Sequence, residues 1–201
     1  MKRIDLQVIP LLLVVASLLA LSACAVGNRY DYSNAIGGLP VSGKGTIAVD
    51  VIDARPYVVS GDKTPDFVGI QRGGFGNPFD VRTASGGPLA GEMRTGIVNA
   101  LQKQGFTVLP ANEAASRKLQ LKVLEWKTDV MARMKVLYDL TLAVLDERGK
   151  VLATSRTQGE EVLGGGFEKA NAGNAAKSFE LRFTELMRDE SVRNALMGPA
   201  N

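Results

Sequence analysis

Apolar residues fall along the chain in three patterns, each with its own implication. Residues 9–21 form a nearly unbroken apolar run, from Ile9 to Leu21, interrupted by Pro10 and Ser17 and preceded by Lys2 and Arg3. Residues 25–44 show no period and are rich in Gly and small polar side chains. Such a stretch reads as a flexible tether, with a reach on the order of 25 Å for a coil of this length. Tyr30 and Tyr32 raise the alternative that it docks on the domain that follows. From Gly45 onward, regular periods appear.

Residues 46–53 alternate Ile47, Val49 and Val51 against Thr46, Ala48 and Asp50, which predicts a strand. Residues 67–72 predict a second. The Gly- and Pro-rich residues 73–88 predict a loop. Leu89, Met93, Ile97, Ala100 and Leu101 recur at helical spacing after Pro88, which suits a first helical turn, and Gly105 suits the helix end. Residues 106–110 predict a third strand. In 118–130 the alternation slips after Val123: either a bulge turns the strand over, or Leu124 and Trp126 form an apolar spot on its other face. Residues 134–146 alternate again, a turn with Gly149 follows, and 151–162 become polar after Ala153, as an edge strand would. A second helix begins with Asn174 as N-cap, carries Phe179, Phe183 and Leu186, and stops at Gly198-Pro199. The order is β-β-α-β-β-β-β-α. It predicts one α+β or α/β domain over 45–201, a mixed β-sheet with two helices packed on it.

The apolar run at the start is too short for a membrane span, which needs about 20 residues. A basic start, a short apolar segment and then small residues make up a secretory signal peptide. The chain has a single cysteine, Cys24, next to Ser22 and Ala23. Leu21-Ser22-Ala23-Cys24 resembles the lipobox of bacterial lipoproteins. The resemblance implies diacylglycerol on the Cys24 thiol, removal of residues 1–23 and acylation of the new amino group. Several acyl chains hold a protein at a bilayer where one does so only marginally. Ala25, rather than Asp, after the cysteine favours the outer membrane, facing the periplasm, by resemblance to the enterobacterial sorting pattern. The competing reading is a buried cysteine in an N-terminal helix.

Cleavage leaves roughly 178 residues, enough for one domain with a sizeable core. The formal charge of +3 for the whole chain falls to about +2, with no basic stripe of the kind nucleic acid needs. "IAVDVIDARP" and "NALQKQGFTVL" resemble the YajG-type envelope lipoproteins, and the later hairpin and helix fit small envelope lipoproteins, among them auxiliary subunits of transport systems. The resemblance implies a fold and a location, without a mechanism.

There is no histidine, which excludes Ser-His-Asp and Cys-His catalysis and histidine-based zinc sites. No cofactor or metal is expected. A glycan hydrolase would need carboxylates. Asp50 and Asp53 point to opposite faces of a strand, and Glu160 and Glu161 are adjacent and diverge. Asp53 and Arg55 suit a structural ion pair better than a ligand site. Phe75 and Phe79, with Arg72 beside them, either fold back onto the core or present an apolar loop to a partner. Lys118, Lys122, Lys127, Arg133 and Lys135 read as a solvated face or as a weak attraction to anionic lipid or glycan. The sequence therefore points to a non-enzymatic, membrane-anchored binding or assembly module with an envelope partner. A carrier of lipid or another apolar ligand is the alternative.

Overall fold

The computed structural model describes residues 27–72, 78–111, 113–164 and 168–198. The lipobox residues Leu21, Ser22, Ala23 and Cys24, and Phe75, lie outside them. In chain order the elements are β1 (Arg29–Tyr30), β2 (Thr46–Asp53), α1 (Pro56–Val59), β3 (Phe67–Arg72), β4 (Pro78–Thr83), α2 (Leu89–Lys103), β5 (Thr107–Leu109), β6 (Arg117–Val130), β7 (Met134–Leu145), β8 (Val151–Leu163), α3 (Glu168–Arg188) and α4 (Glu190–Met197). This is one α+β domain: an open, mixed sheet with helices packed on it.

The long strand β6 organises the sheet. One edge pairs antiparallel with β7 along its length, and β7 pairs with the edge strand β8. The other edge forks. Residues 117–123 pair in parallel with β2, which carries β5 beyond it, and residues 128–130 pair in parallel with β3, which carries β4 and then β1. The alternation slip is a bulge: the register with β7 shifts between Val123 and Glu125, so Leu119, Leu121, Val123, Trp126, Thr128 and Val130 are all buried. The extra residue restores the core phase for Trp126.

Three helices cover one face. Leu89, Met93, Ile97, Ala100 and Leu101 of α2, Phe179, Phe183 and Met187 of α3, and Val192 and Leu196 of α4 share one core with Ile47, Val49, Leu121, Leu140 and Val144. The second predicted helix is two: it starts at Glu168, six residues before the predicted cap, and breaks at Asp189. Asn174 is therefore interior, its amide reaching the Gly164 carbonyl. The Asp189 carboxylate instead accepts from the Ser191 and Val192 N–H groups and starts α4. Gly105, at φ +91°, closes α2 as predicted.

The tether reading is overturned for residues 28–44. β1 pairs with β4, and Tyr30, Tyr32, Ile36 and Val41 are buried in the core. The segment is a strap across the helices: Glu92 accepts from the Tyr32 N–H, Asn99 donates to the Ser33 carbonyl, and Glu180 accepts from the Gly37 N–H. Tyr32 reaches between α2 and α3 to the sheet. Its ring meets Trp126 and Phe179 edge-on, and its hydroxyl accepts from Trp126 Nε1 at 3.0 Å. Gly96 lets the strap lie this close, since a Cβ there would come within 2.5 Å of the Tyr32 carbonyl oxygen. A 20-residue stretch without period was misread because its few anchors are isolated aromatics and aliphatics.

The predicted loop 73–88 is also corrected, because Pro78–Thr83 is β4. Pro78 stands at the first position of the strand, where its missing N–H is tolerated.

Candidate functional site

Asp53 and Arg55 do meet, and their role is in the fork. Where β2 and β3 part, residues 124–127 of β6 have no strand beside them on that edge. The Arg55 guanidinium fills the gap. Nε and Nη2 bind the two Asp53 carboxylate oxygens at 2.8 and 2.7 Å, while Nη1 donates to the Phe67 carbonyl at 2.6 Å and to the Trp126 carbonyl at 3.3 Å. Nη2 also donates to the Pro65 carbonyl. Burial opposes the charge, but the hydrogen bonds and the charge of Asp53 outweigh it and raise the pKa of Arg55. A fully buried guanidinium with this many protein partners holds backbone together and presents nothing to a ligand. The Tyr57 hydroxyl, hydrogen-bonded to Glu125 and the Trp126 carbonyl, closes the same gap from α1.

Asp50 lies against Lys118 at 3.0 Å and accepts from Gln120. Burial would raise its pKa, yet these partners hold it below the ordinary carboxylate value. Glu160 pairs with Lys135, whereas Glu161 turns to Ser178 and Arg182 on α3. No two of these carboxylates face one another across a cleft. Among the described residues, no group of three or more acidic, imidazole or thiol side chains is placed to hold a metal.

Several aspartates are held in their charged form. The Arg72 fork lowers the pKa of Asp129; for Asp66, burial is outweighed by Thr64 and Arg82. A folded-state pKa below the unfolded value of 3.8 contributes stability above that value and loses it as pH falls through the folded pKa. Burial raises the pKa of Tyr32, and of Tyr57 together with its bond to Glu125; that contribution is intact below the unfolded value of 10.0 and is lost as pH rises beyond it. The urea midpoint should therefore stay nearly level between roughly pH 5 and pH 9 and fall on both sides. A midpoint unchanged at pH 3 would remove the acid half of this account.

The clefts of the described residues open at the rim. One, of about 290 Å³, is lined by Ser116, Arg117, Asp146, Arg148 and Lys150. A second, of about 490 Å³, lies between Lys44, Phe106, Arg117 and Met197. The first lies away from the layer between helices and sheet, the second reaches the end of that layer at Ile47 and Leu196, and the middle of the layer is filled by Tyr32, Trp126, Phe179 and Phe183.

The strand directions bring a second group together. β1 runs parallel to β4, with Gly27 beside Asp80, so the described chain begins toward the end of the sheet where β4 begins and β3 ends. The end of β6, the turn 131–133, the start of β7 and the end of β8 lie at that same end. Here Arg72 grips Asp129 through two hydrogen bonds at 3.0 and 2.7 Å. Lys135 pairs with Glu160, Lys127 is half-buried, and Arg133 is exposed. Met131 is 72% exposed at the turn and Val162 is 55% exposed on the edge strand. Phe79 is half-buried on the face it shares with buried Val81 and Thr83. Sequence reasoning named Arg72 and Phe79 but missed Met131, whose signal is an apolar side chain at a hairpin tip.

No known protein family and no curated protein matches the sequence. Among solved structures, the chain is similar to XCC0632 from Xanthomonas campestris, of the DUF330 family, with a TM-score of 0.52 at 14% identity, covering 80% of this chain and 91% of that one. It is more distantly similar to the PelC dodecamer from Paraburkholderia phytofirmans (TM-score 0.41, 17% identity, 74% and 92% covered). Lipoprotein GNA1162 from Neisseria meningitidis follows (TM-score 0.29, 13% identity, 70% and 98% covered). What the comparisons establish is a fold, the one this chain has in common with XCC0632.

Proposed function

We propose that this chain is a bacterial envelope lipoprotein, anchored by acyl chains on Cys24, whose domain is a non-enzymatic binding or assembly module for another envelope component. The observation that carries the reading is Leu21-Ser22-Ala23-Cys24 behind a basic, apolar start. Among the described residues no helix is long and apolar enough to cross a membrane, so attachment would rest on the acyl chains. The outer membrane, facing the periplasm, is the location that Ala25 favours, and YajG-type lipoproteins are the relatives the sequence resembles. The edge of β8, thirteen residues that among the described residues pair with a strand on one side only, offers a protein a strand to extend.

The competing activities have less support. A carboxylate hydrolase needs an acid that can hold a proton, whereas Asp50 and Asp53 are both engaged by cations. A lipid carrier needs room between helices and sheet; packed aromatic rings fill the middle of that layer, and the cleft of about 490 Å³ reaches only its end, at Ile47 and Leu196.

Replacing Cys24 by Ala tests the anchor. The wild-type chain should appear in the membrane fraction at the mass of acylated 24–201, and Cys24→Ala should be uncleaved and lack acyl mass. A Cys24→Ala chain that still reaches the membrane at its processed mass would contradict the proposal.

A further inference from the structure

We infer that the end of the sheet from which the anchor leaves is itself a membrane-contact surface, with Met131 seated among the headgroups and Lys127, Arg133, Arg72 and Lys135 facing anionic lipid. This rests on the lipid-anchor reading and takes it from attachment to orientation. Three peptide steps separate Cys24 from Gly27 and span at most about 11 Å. Gly27 is already placed beside Asp80 of β4, and Asn28 is buried. A domain tethered this closely cannot hang free of the bilayer, and the end it turns toward the lipid is the one where β1 begins.

From β1 to β7 the strands span roughly 20 Å at about 4.8 Å each, about twice the reach of the short link, so the whole end lies near the bilayer only when the domain turns that end toward it. Across this width lie the most exposed large apolar side chain of the turn, Met131, then Val162 and exposed Pro78. Six described cations stand around them against four carboxylates: Asp129 is bonded to Arg72, Glu160 to Lys135, Glu161 to Arg182 and Asp80 to Lys63. The surplus charge is that of Lys127 and Arg133. A basic residue near an anionic bilayer contributes about 1 kcal/mol, or roughly fivefold in the docked equilibrium. An apolar tip within a basic ring matches the interface of headgroup and acyl chain. The opposite end also carries exposed Val151 and Leu152 beside Arg148 and Lys150, with Asp146 and Glu147 among them, so the choice of end rests on where Gly27 begins the described chain.

The test uses the lipidated full chain in vesicles of phosphatidylethanolamine containing phosphatidylglycerol. Cys24 is the sole cysteine of the chain and is consumed by lipid, so Met131→Cys or Arg148→Cys supplies a unique thiol for a fluorescent label. The label at 131 should be quenched by a lipid-borne quencher and shielded from a soluble one, and the label at 148 should behave in the opposite way. With Lys127→Gln and Arg133→Gln together, the docked population should fall about 25-fold, as it should in vesicles lacking phosphatidylglycerol. Acylated protein with equal quenching at both positions would overturn the inference and leave the anchor standing. Shielding of position 131 from both quenchers would assign this end to a second copy and overturn it as well. Protein without acyl mass on Cys24 would overturn the anchor and the inference together.

Discussion

Residues 45–201, expressed without the strap, should fail to fold as a cooperative unit. The strap contributes Tyr30, Tyr32, Ile36 and Val41 to the core, each at most 7% exposed. At about 1.5–3 kcal/mol for each buried side chain of this size, their loss amounts to roughly 6–12 kcal/mol. A domain of this kind has only about 5–15 kcal/mol to lose. The removal also leaves Trp126 Nε1 without the Tyr32 hydroxyl, and it opens the space between α2 and α3 to water. A chain beginning at Ala25 should melt in one sharp transition with a near-ultraviolet signal from Trp126, and 45–201 should show neither. Tyr32→Phe is the mild member of the series, removing one buried acceptor at about 1–3 kcal/mol. If 45–201 unfolds with the same midpoint as the longer chain, the strap is not part of the core.

Arg55→Met should cost about 3–5 kcal/mol, the range for removing one partner of a buried ion pair. The Phe67 carbonyl loses its Arg55 donor, the Pro65 and Trp126 carbonyls keep only the Leu89 N–H and the Tyr57 hydroxyl, and Asp53 is left without its cation. Arg55→Lys should recover only part, because one ammonium cannot satisfy a carboxylate and three carbonyls at separate positions. Replacing Asp53 by Asn in the Arg55→Met background should cost less than the sum of the two single changes, the signature of direct coupling. Urea unfolding of the four variants measures this. An Arg55→Met chain within about 1 kcal/mol of wild type would mean that the fork is held by its strands alone. None of these variants touches the lipobox, so acylation of Cys24 should continue as before.

Much of the domain was legible in its periods. The strands at 46–53, 67–72, 134–146 and 151–162 and the helix ending at Gly105 stand close to where their patterns predict; 134–146 and the helix each bury one face, whereas β2 and β3 open with three consecutive buried residues and β8 buries little beyond Ala153 and Thr157. The bulge after Val123 was visible as one of two alternatives, since an inserted residue leaves a phase slip in the pattern. β1 and α1 were missed because two and four residues are too few to show a period. The break at Asp189 was missed for another reason. An N-cap inside a helical pattern looks like an ordinary polar residue until the backbone is seen to leave the helix.

What the sequence by itself supplies is the lipobox resemblance on which the proposed anchor rests, and the excluded chemistry. A lipobox is local: four adjacent residues behind a basic, apolar leader carry it, and no folding is needed to read them. The absence of histidine is equally independent of structure. Tertiary structure alone decided that the supposed tether is a strap, that Arg55 closes a forked sheet, and that Met131, Arg133, Arg72 and the start of the strap share one end of the domain. Those groupings depend on strand order and direction, with β1 beside β4 and β6 between two partners. Contacts between residues a hundred positions apart leave no mark on the local period of either partner, because burial and charge pairing are settled only when the strands meet.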